Sequence, residues 1–156
     1  MKATVKFNGK EYDAELTEKK VESKRWKPEV GGYYYSVDGY GDVDGFCWDG
    51  DKYDAFEYSQ RNVFKTKEEA EKHLEYLKSL AILRDDAGDW EPDWNNDSQA
   101  EYSIRFDHSQ GGLGLYVDPS VGLQSLDIYF ETQEAAQKSI DEHKEHWLRV
   151  FGVDNG

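Results

Sequence analysis

Apolar and polar side chains alternate through residues 4–16, on both sides of the pair Asn8-Gly9. Asparagine and glycine tolerate the positive φ angles of a tight type I′ turn, so this alternation predicts a β-hairpin. Charged residues then dominate positions 17–25. We therefore expect residues 1–25 to form an N-terminal β-hairpin followed by a charged connector.

From Trp26 onward the chain carries two divergent copies of one pattern. Trp26-Lys27-Pro28-Glu29 recurs as Trp90-Glu91-Pro92-Asp93, and the segment 64–72 recurs as 130–138. Between these landmarks lie short segments rich in aromatic and β-branched residues, which favour strands. They are residues 33–37, 46–48 and 55–58 in the first copy and residues 102–106, 113–117 and 126–130 in the second. The pattern predicts one β-β-β-α unit at residues 26–87 and another at residues 88–156.

Each copy ends in a predicted helix with a recognisable start. Thr66 is followed by Glu69, the spacing of a capping box, in which each side chain binds an amide of the first turn. Thr132 can cap the second helix, although Ala135 replaces the acid. Apolar residues at spacings of three and four predict one buried stripe per helix, namely Ala70, Leu74, Leu77 and Ala81, and then Ala136, Ile140, His143, Trp147 and Phe151. The expected fold class is α+β, with antiparallel sheet and two packed helices.

The composition favours a folded protein. Five Trp, eleven Tyr and seven Phe supply large apolar surfaces that disordered chains lack. The single cysteine, Cys47, excludes disulfide bonds within the chain and zinc sites built from several cysteines. Neither an export signal nor a membrane-spanning run is recognisable, so we expect a cytoplasmic location without membrane binding.

The net charge of −14 is unevenly distributed along the chain. Residues 1–28 hold eight Lys or Arg and five Asp or Glu, which leaves −17 for the rest. Such a body repels nucleic acid and anionic membranes and attracts basic protein surfaces over about one Debye length. The charge therefore predicts a basic protein partner and no direct binding of nucleic acid. The alternative is that the acidity serves solubility alone.

Two acidic clusters supply the candidate partner-binding residues. The first lies within residues 38–57, where Lys52 is the single base, and the second lies within residues 85–97. Carboxylates two residues apart on an extended segment lie about 6.6 Å apart on one face, and such an array can mimic a phosphate backbone. The alternative is a set of solvated turns, because Asp and Gly tolerate tight backbone angles. The candidates are Asp38, Asp42, Asp44, Asp49, Asp51, Asp54, Asp85, Asp86, Asp89, Glu91, Asp93 and Asp97.

The sequence contains no recognisable catalytic or metal-binding motif. Residues 38–45 lack the spacing and the distal glutamate of an EF-hand calcium loop. His143 and His146 lie three residues apart, without a third ligand fixed by the sequence. Residues 111–114 lack the Lys-Ser/Thr pair of a phosphate-binding loop, and there is no nucleophile elbow. We expect a binding protein without catalytic residues, cofactor or metal, and not an enzyme.

A further set of motifs extends over residues 26–153. It comprises Trp26-x-Pro28 before Tyr33-Tyr34, the segment 62–71, Trp94 with the segment 97–104, the segment 128–130, and the closing Phe151-Gly152-Val153. Together these motifs resemble a family of small accessory proteins encoded by tailed phages and prophages of Gram-positive bacteria. The resemblance carries no catalytic residues onto this chain.

The resemblance implies a phage accessory gene, a setting in which many small acidic proteins bind and block host machinery, including restriction and CRISPR nucleases. The expected partner is then a basic host protein that handles nucleic acid, inhibited in the host cytoplasm by an acidic mimic. The alternative function is a structural or assembly protein of the phage particle or its replication complex, which binds through aromatic faces. Binding that weakens with salt distinguishes the first function from the second.

Overall fold

The computed structural model of the protein describes residues 2–15, 25–96, 98–118 and 128–153. Within these ranges the chain forms three two-stranded antiparallel sheets and three helices, so the predicted α+β class is confirmed. The strands are β1 (Lys2–Phe7), β2 (Lys10–Glu15), β3 (Tyr33–Val37), β4 (Val43–Cys47), β5 (Glu101–Asp107) and β6 (Gly112–Asp118). The helices are α1 (Lys52–Ser59), α2 (Lys67–Ala87) and α3 (Gln133–Val150). None of these helices has both the length and the apolar character needed to cross a membrane.

The predicted N-terminal hairpin is formed by β1 and β2. Their pairing runs from Lys2 opposite Glu15 to Phe7 opposite Lys10. Asn8 and Gly9 connect the strands with φ angles of 49° and 74°, the left-handed region that a type I′ turn requires. Of the predicted charged connector, only Arg25 lies within the described residues.

Each of the two later hairpins pairs with one further residue, which precedes a long helix. Tyr35 pairs with Phe64, and Tyr102 pairs with Phe130, as isolated antiparallel bridges. The Tyr35 amide donates to the Phe64 carbonyl over 2.9 Å, and the Phe130 amide donates to the Tyr102 carbonyl over 2.9 Å. In both halves a threonine that caps a helix follows two residues later.

The predicted third strand is the main error of the sequence analysis. Residues 55–58 lie in α1, so their assignment to a strand is wrong. The reason is local capping, because Asp51 accepts the amides of Tyr53 and Asp54 and starts a helical turn that outweighs the strand preference of the aromatic residues. In the second half, residues 126 and 127 lie outside the described residues, and residues 128–130 contribute only the bridge at Phe130.

Both predicted helix starts are confirmed. The Glu69 amide donates to Thr66 Oγ1 over 3.2 Å, and the Thr66 amide donates to the Glu69 carboxylate over 3.4 Å. Thr132 accepts the amide of Ala135 over 3.2 Å. Gly88 follows α2 with a φ angle of 69° and ends the helix, as its position in the sequence indicates.

The long helix α2 buries a different stripe from the predicted one. Ala70 is buried, but Leu77 is 40% exposed and Ala81 is exposed, whereas Ser79 and Leu83 are buried. The reason is that α2 contacts β3 and β4 and also packs along α3, so two neighbours determine its buried side. The predicted stripe of α3 is confirmed, since each of its members is buried or half-buried.

Apolar side chains form two clusters in the described parts of the chain. The smaller cluster contains Tyr34, Trp48 and Val63. The larger cluster contains Leu83, Ile104, Ile128, Phe130, Ala136, Trp147 and Val150, with Tyr76, Leu80 and Ala87 of α2 packed against it. The β5–β6 hairpin and α3 therefore share their core with α2, which follows the β3–β4 hairpin in the sequence.

Candidate functional site

The turn between β3 and β4 is organised by one of the candidate carboxylates. Asp38 Oδ1 accepts the amide of Tyr40 over 2.9 Å and the amide of Asp42 over 2.8 Å. Asp38 is half-buried, whereas Asp42 in the turn and Asp44 on β4 are exposed. Asp38 thus shapes the turn, and its two neighbours present their charges to solvent.

Asp54 is a buried carboxylate that joins α1 to the β3–β4 hairpin. Its side chain is 3% exposed, and its Oδ1 accepts the Tyr34 hydroxyl over 2.8 Å. Its Oδ2 accepts the amides of Asp49 and Gly50, each over 2.8 Å. Because these bonds occupy both oxygens, Asp54 serves the fold and is not counted in the surface proposed below.

The pKa values of Asp54 and Tyr34 are shifted in opposite directions, in agreement with this geometry. Burial raises the pKa of Asp54, but the hydrogen bonds from Tyr34 and from the Gly50 and Asp49 amides outweigh burial, so the pKa lies below its ordinary value. Burial, followed by the hydrogen bond to Asp54, raises the pKa of Tyr34 well above its ordinary value. The pair therefore consists of a charged aspartate and a neutral tyrosine at neutral pH.

Capping also explains why three aspartates lie together at the start of α1. Oxygen atoms of Asp49, Asp51 and Asp54 lie within 4.8 Å of one another. Asp51 Oδ1 accepts the amides of Tyr53 and Asp54 over 2.7 and 2.9 Å, and Asp49 Oδ1 accepts the Asp51 amide over 3.1 Å. Each carboxylate thus satisfies donors of this turn, while Asp49 and Asp51 stay exposed.

The helix α1 is inverted relative to an ordinary amphipathic helix. Its carboxylates Asp54 and Glu57 are 3% and 8% exposed, whereas its aromatic residues Tyr53 and Phe56 are 48% and 59% exposed. The Glu57 carboxylate accepts the Asn62 amide group over 2.6 Å. Surface helices usually bury apolar side chains and expose charged ones, and α1 does the reverse at these four positions.

Negative charges from the turn and from α1 act on the same tyrosine. The Tyr53 ring lies 6.1 Å from the ring of Phe46. Burial raises the pKa of Tyr53, and the negative charges of Glu57, Asp38 and Asp54 raise it further.

Four carboxylates of the first cluster are exposed and form no ion pair within the described part of the chain. We call Asp42, Asp44, Asp49 and Asp51 the acidic surface. Among the described residues, none of the four forms an ion pair with a lysine or arginine. The ion pairs among the described residues lie within the N-terminal hairpin, within α2, within α3 and between α2 and α3. No lysine or arginine of the described residues therefore neutralises the acidic surface.

In the second cluster, Asp86 serves the packing of α2 on α3. Its Oδ2 accepts the Ser139 hydroxyl over 2.6 Å and lies 2.7 Å from His143 Nδ1. Ser139 in turn accepts the indole N–H of Trp147 over 3.0 Å. His143 has a non-helical backbone conformation within α3, with φ −128° and ψ 31°. Asp86 is thus committed to contacts within the protein.

Three other residues of the second cluster line a surface cavity of about 370 Å³ at the end of α2. Asp85, Asp89 and Glu91 contribute carboxylates, and Arg84, Trp90 and Tyr129 also line it. We call it the α2-end cavity. Carbonyl groups give the C-terminal end of a helix a partial negative charge, which adds to that of the carboxylates. Asp93 is exposed and accepts the Asn95 amide over 3.1 Å, and Asp97 lies outside the described residues.

The aromatic pair Tyr53 and Phe56 was missed by the sequence analysis because residues 55–58 were assigned to a strand. The available signal was Asp51, three residues before Asp54 and directly after Gly50, which is a helix N-cap pattern. With that signal, the three-residue spacing of Tyr53 and Phe56 predicts a shared helix face.

The fold and these residues define a small mixed α+β protein with an exposed acidic surface beside an exposed aromatic pair. Comparison with protein families, with curated proteins and with solved structures finds no match for the chain.

Proposed function

We propose that the protein binds a basic surface of another protein through the acidic surface, with the α2-end cavity as a second contact. The observation that carries the proposal is the state of Asp42, Asp44, Asp49 and Asp51, which are exposed and without an ion pair among the described residues. A partner's lysine or arginine can pair with such carboxylates without displacing a cation of the protein itself. Charge complementarity of this kind speeds association and selects basic partners.

The proposed partner is a host protein that handles nucleic acid, and the proposed effect is inhibition. Proteins of this class carry positive grooves for the phosphate backbone, whose binding releases counterions. Asp44 lies on β4 and Asp42 directly precedes it, and two residues of a strand span about 6.6 Å, near the spacing of backbone phosphates. The acidic surface would therefore compete for such a groove as a mimic of nucleic acid.

The biological setting belongs to the same proposal. The resemblance to phage accessory proteins favours action against a host defence nuclease, of the restriction or CRISPR type, in the host cytoplasm. The protein is proposed to act by binding and not as an enzyme. The proposal also includes a tandem relation between the two halves, which is supported by the paired sets Tyr35–Phe64 and Tyr102–Phe130, each followed by a helix-capping threonine.

The test uses a variant that changes charge and keeps the turns. Asp42 and Asp44 are replaced by Lys, whereas Asp49 and Asp51 are replaced by Asn, because asparagine retains the acceptor that caps α1. The matched control is Glu131→Lys/Asp141→Lys/Glu145→Lys, which alters the net charge equally at exposed positions outside both clusters. Both variants should melt within a few degrees of the wild-type protein.

Each protein is immobilised and exposed to bacterial lysate, and the bound proteins are eluted with rising salt. We expect a basic nuclease or other nucleic-acid-binding protein to be retained by the wild-type protein and by the control, and to be lost by the acidic-surface variant. The purified partner should then lose activity on DNA or RNA when the wild-type protein is added. Equal retention and equal inhibition by the acidic-surface variant would contradict the proposal.

A further inference from the structure

Helix α1 presents two aromatic side chains on a firmly held backbone. Asp51 caps its first turn, and Asp54 bonds to the Tyr34 hydroxyl of β3. Near its end, Glu57 is bonded by Asn62, whose side chain also bonds both backbone groups of Val37 over 2.9 and 2.7 Å. A rigid support of this kind lowers the entropy lost when the exposed side chains bind a partner.

The two exposed rings belong to one face of the helix. Tyr53 and Phe56 lie three residues apart, the spacing at which helix side chains are neighbours. They are 48% and 59% exposed, while the carboxylates Asp54 and Glu57 of α1 are buried. Aromatic side chains on rigid supports are the residues that most often dominate binding energy at protein interfaces. The inverted pattern therefore indicates a docking face.

The charge around this face selects the occupant. Asp49 and Asp51 are exposed at the start of the helix, and Lys52 is the only base between residues 38 and 57. A second copy of the chain would bring the same negative charges together, and nucleic acid would be repelled. A basic protein segment is attracted, and arginine suits both parts of the face, because its guanidinium stacks on rings and pairs with carboxylates.

One aromatic ring of α1 already has two cations of the chain itself over it. The guanidinium carbon of Arg25 lies 3.6 Å from the centroid of the Tyr58 ring, and Lys27 Nζ lies 5.6 Å from the same centroid. Tyr58 is half-buried and belongs to α1. A cation over an aromatic ring is therefore an arrangement that this helix supports.

We infer that the aromatic face of α1, formed by Tyr53 and Phe56, is the anchor for an arginine-containing segment of the partner, with its guanidinium groups over the rings and against Asp49 and Asp51. The inference rests on the proposed function and specifies the partner's chemistry at that surface. It assigns most of the binding energy to two aromatic side chains. The carboxylates attract the partner and select a positively charged one.

The test uses two peptides of equal charge, hexa-arginine amide and hexalysine amide, titrated into the full-length protein by calorimetry at low ionic strength. We expect hexa-arginine to bind about threefold more tightly than hexalysine, the order of one exposed cation–π contact. In Tyr53→Leu/Phe56→Leu, and to a smaller extent in Phe56→Leu alone, this preference should disappear and affinity for hexa-arginine should fall about tenfold. Leucine preserves helix propensity at both positions.

The matched control is Tyr12→Leu/Trp94→Leu, which removes two aromatic residues of similar exposure, 50% and 49%, that do not belong to α1. This control should bind both peptides as the wild-type protein does. In amide NMR spectra, the shifts caused by hexa-arginine should concentrate in residues 49–58. Thermal melting of every variant checks that the fold is intact.

The outcomes separate this inference from the proposed function. If Tyr53→Leu/Phe56→Leu binds like the wild-type protein while the acidic-surface variant loses binding, the anchor is refuted and the proposed function stands. If neither peptide binds, the electrostatic basis of both is removed. If the wild-type protein self-associates and the leucine variant is monomeric in sedimentation, the face is an interface between copies, which also refutes the anchor.

Discussion

At the scale of single residues, aspartates that look alike in the sequence perform different tasks. Asp54 accepts three hydrogen bonds and is 3% exposed, whereas Asp44 is exposed. A buried acceptor that loses a donor, or a donor that loses its acceptor, carries the full cost of desolvation. Asp54 therefore acts on stability, and Asp44 belongs with the residues that act on binding.

The contrast can be measured with Asp54→Asn. The amide keeps one acceptor oxygen but turns an N–H₂ group toward either Tyr34 or the amides of Asp49 and Gly50. We expect the free energy of unfolding to fall by about 2 kcal/mol, as for the loss of a hydrogen bond to a charged group. Asp44→Asn is the control and should change it by less than about 0.5 kcal/mol in urea denaturation. Equal effects of the two substitutions would contradict this role.

The lowered pKa of Asp54 also predicts a dependence on pH. Its folded pKa lies below the ordinary value, so its contribution is complete above the unfolded pKa, which is about 3.9. The contribution is lost as the pH falls through the lower, folded pKa. We expect the stability difference between the wild-type protein and Asp54→Asn to be constant from about pH 7 to pH 5 and to shrink below about pH 4. A difference that stays constant throughout would show that Asp54 ionises normally.

At the scale of elements, α2 shows how two neighbours override a sequence pattern. Leu77 belongs to the predicted stripe and is 40% exposed, whereas Leu83 is outside it and fully buried. We expect Leu83→Ala to lower the free energy of unfolding by about 3 kcal/mol, since it leaves a cavity in the larger cluster. Leu77→Ala should cost less than about 1 kcal/mol. Chemical denaturation of the two variants measures both losses of unfolding free energy. A larger loss in Leu77→Ala than in Leu83→Ala would support the predicted stripe.

The contact between α2 and α3 depends on Asp86. Replacing it with Ala removes the acceptor of the Ser139 hydroxyl and the partner of His143. We expect a loss of about 2 kcal/mol in unfolding free energy. Asp85→Ala, at the exposed neighbouring position, is the control and should leave stability within about 0.5 kcal/mol. If Asp86→Ala were as stable as the control, Asp86 would be open to partner binding as first predicted.

At the scale of the whole molecule, the two halves share α2. The side chains of Tyr76, Leu80, Leu83 and Ala87 are buried or half-buried against the larger cluster. A fragment of residues 25–96 would expose this apolar stripe to water, so we expect it to lack a cooperative melting transition, with weak near-ultraviolet circular dichroism. The full chain is the control. A fragment that melts cooperatively near the temperature of the full chain would show that the first half folds independently.

Local chemistry in the sequence determined the turn at Asn8-Gly9, the capping of the two long helices by Thr66 and Thr132, and the α+β class. These features depend on backbone angles and amides within a few residues, so neighbours in the chain specify them. Tertiary structure decided which side of α1 is buried, because the carboxylate of Asp54 is held by Tyr34, twenty positions earlier, while Tyr53 and Phe56 stay exposed. It also decided that Asp54 and Asp86 are consumed by the fold while Asp42 and Asp44 stay exposed, because the hydroxyls of Tyr34 and Ser139, which bond to Asp54 and Asp86, lie far away in the sequence.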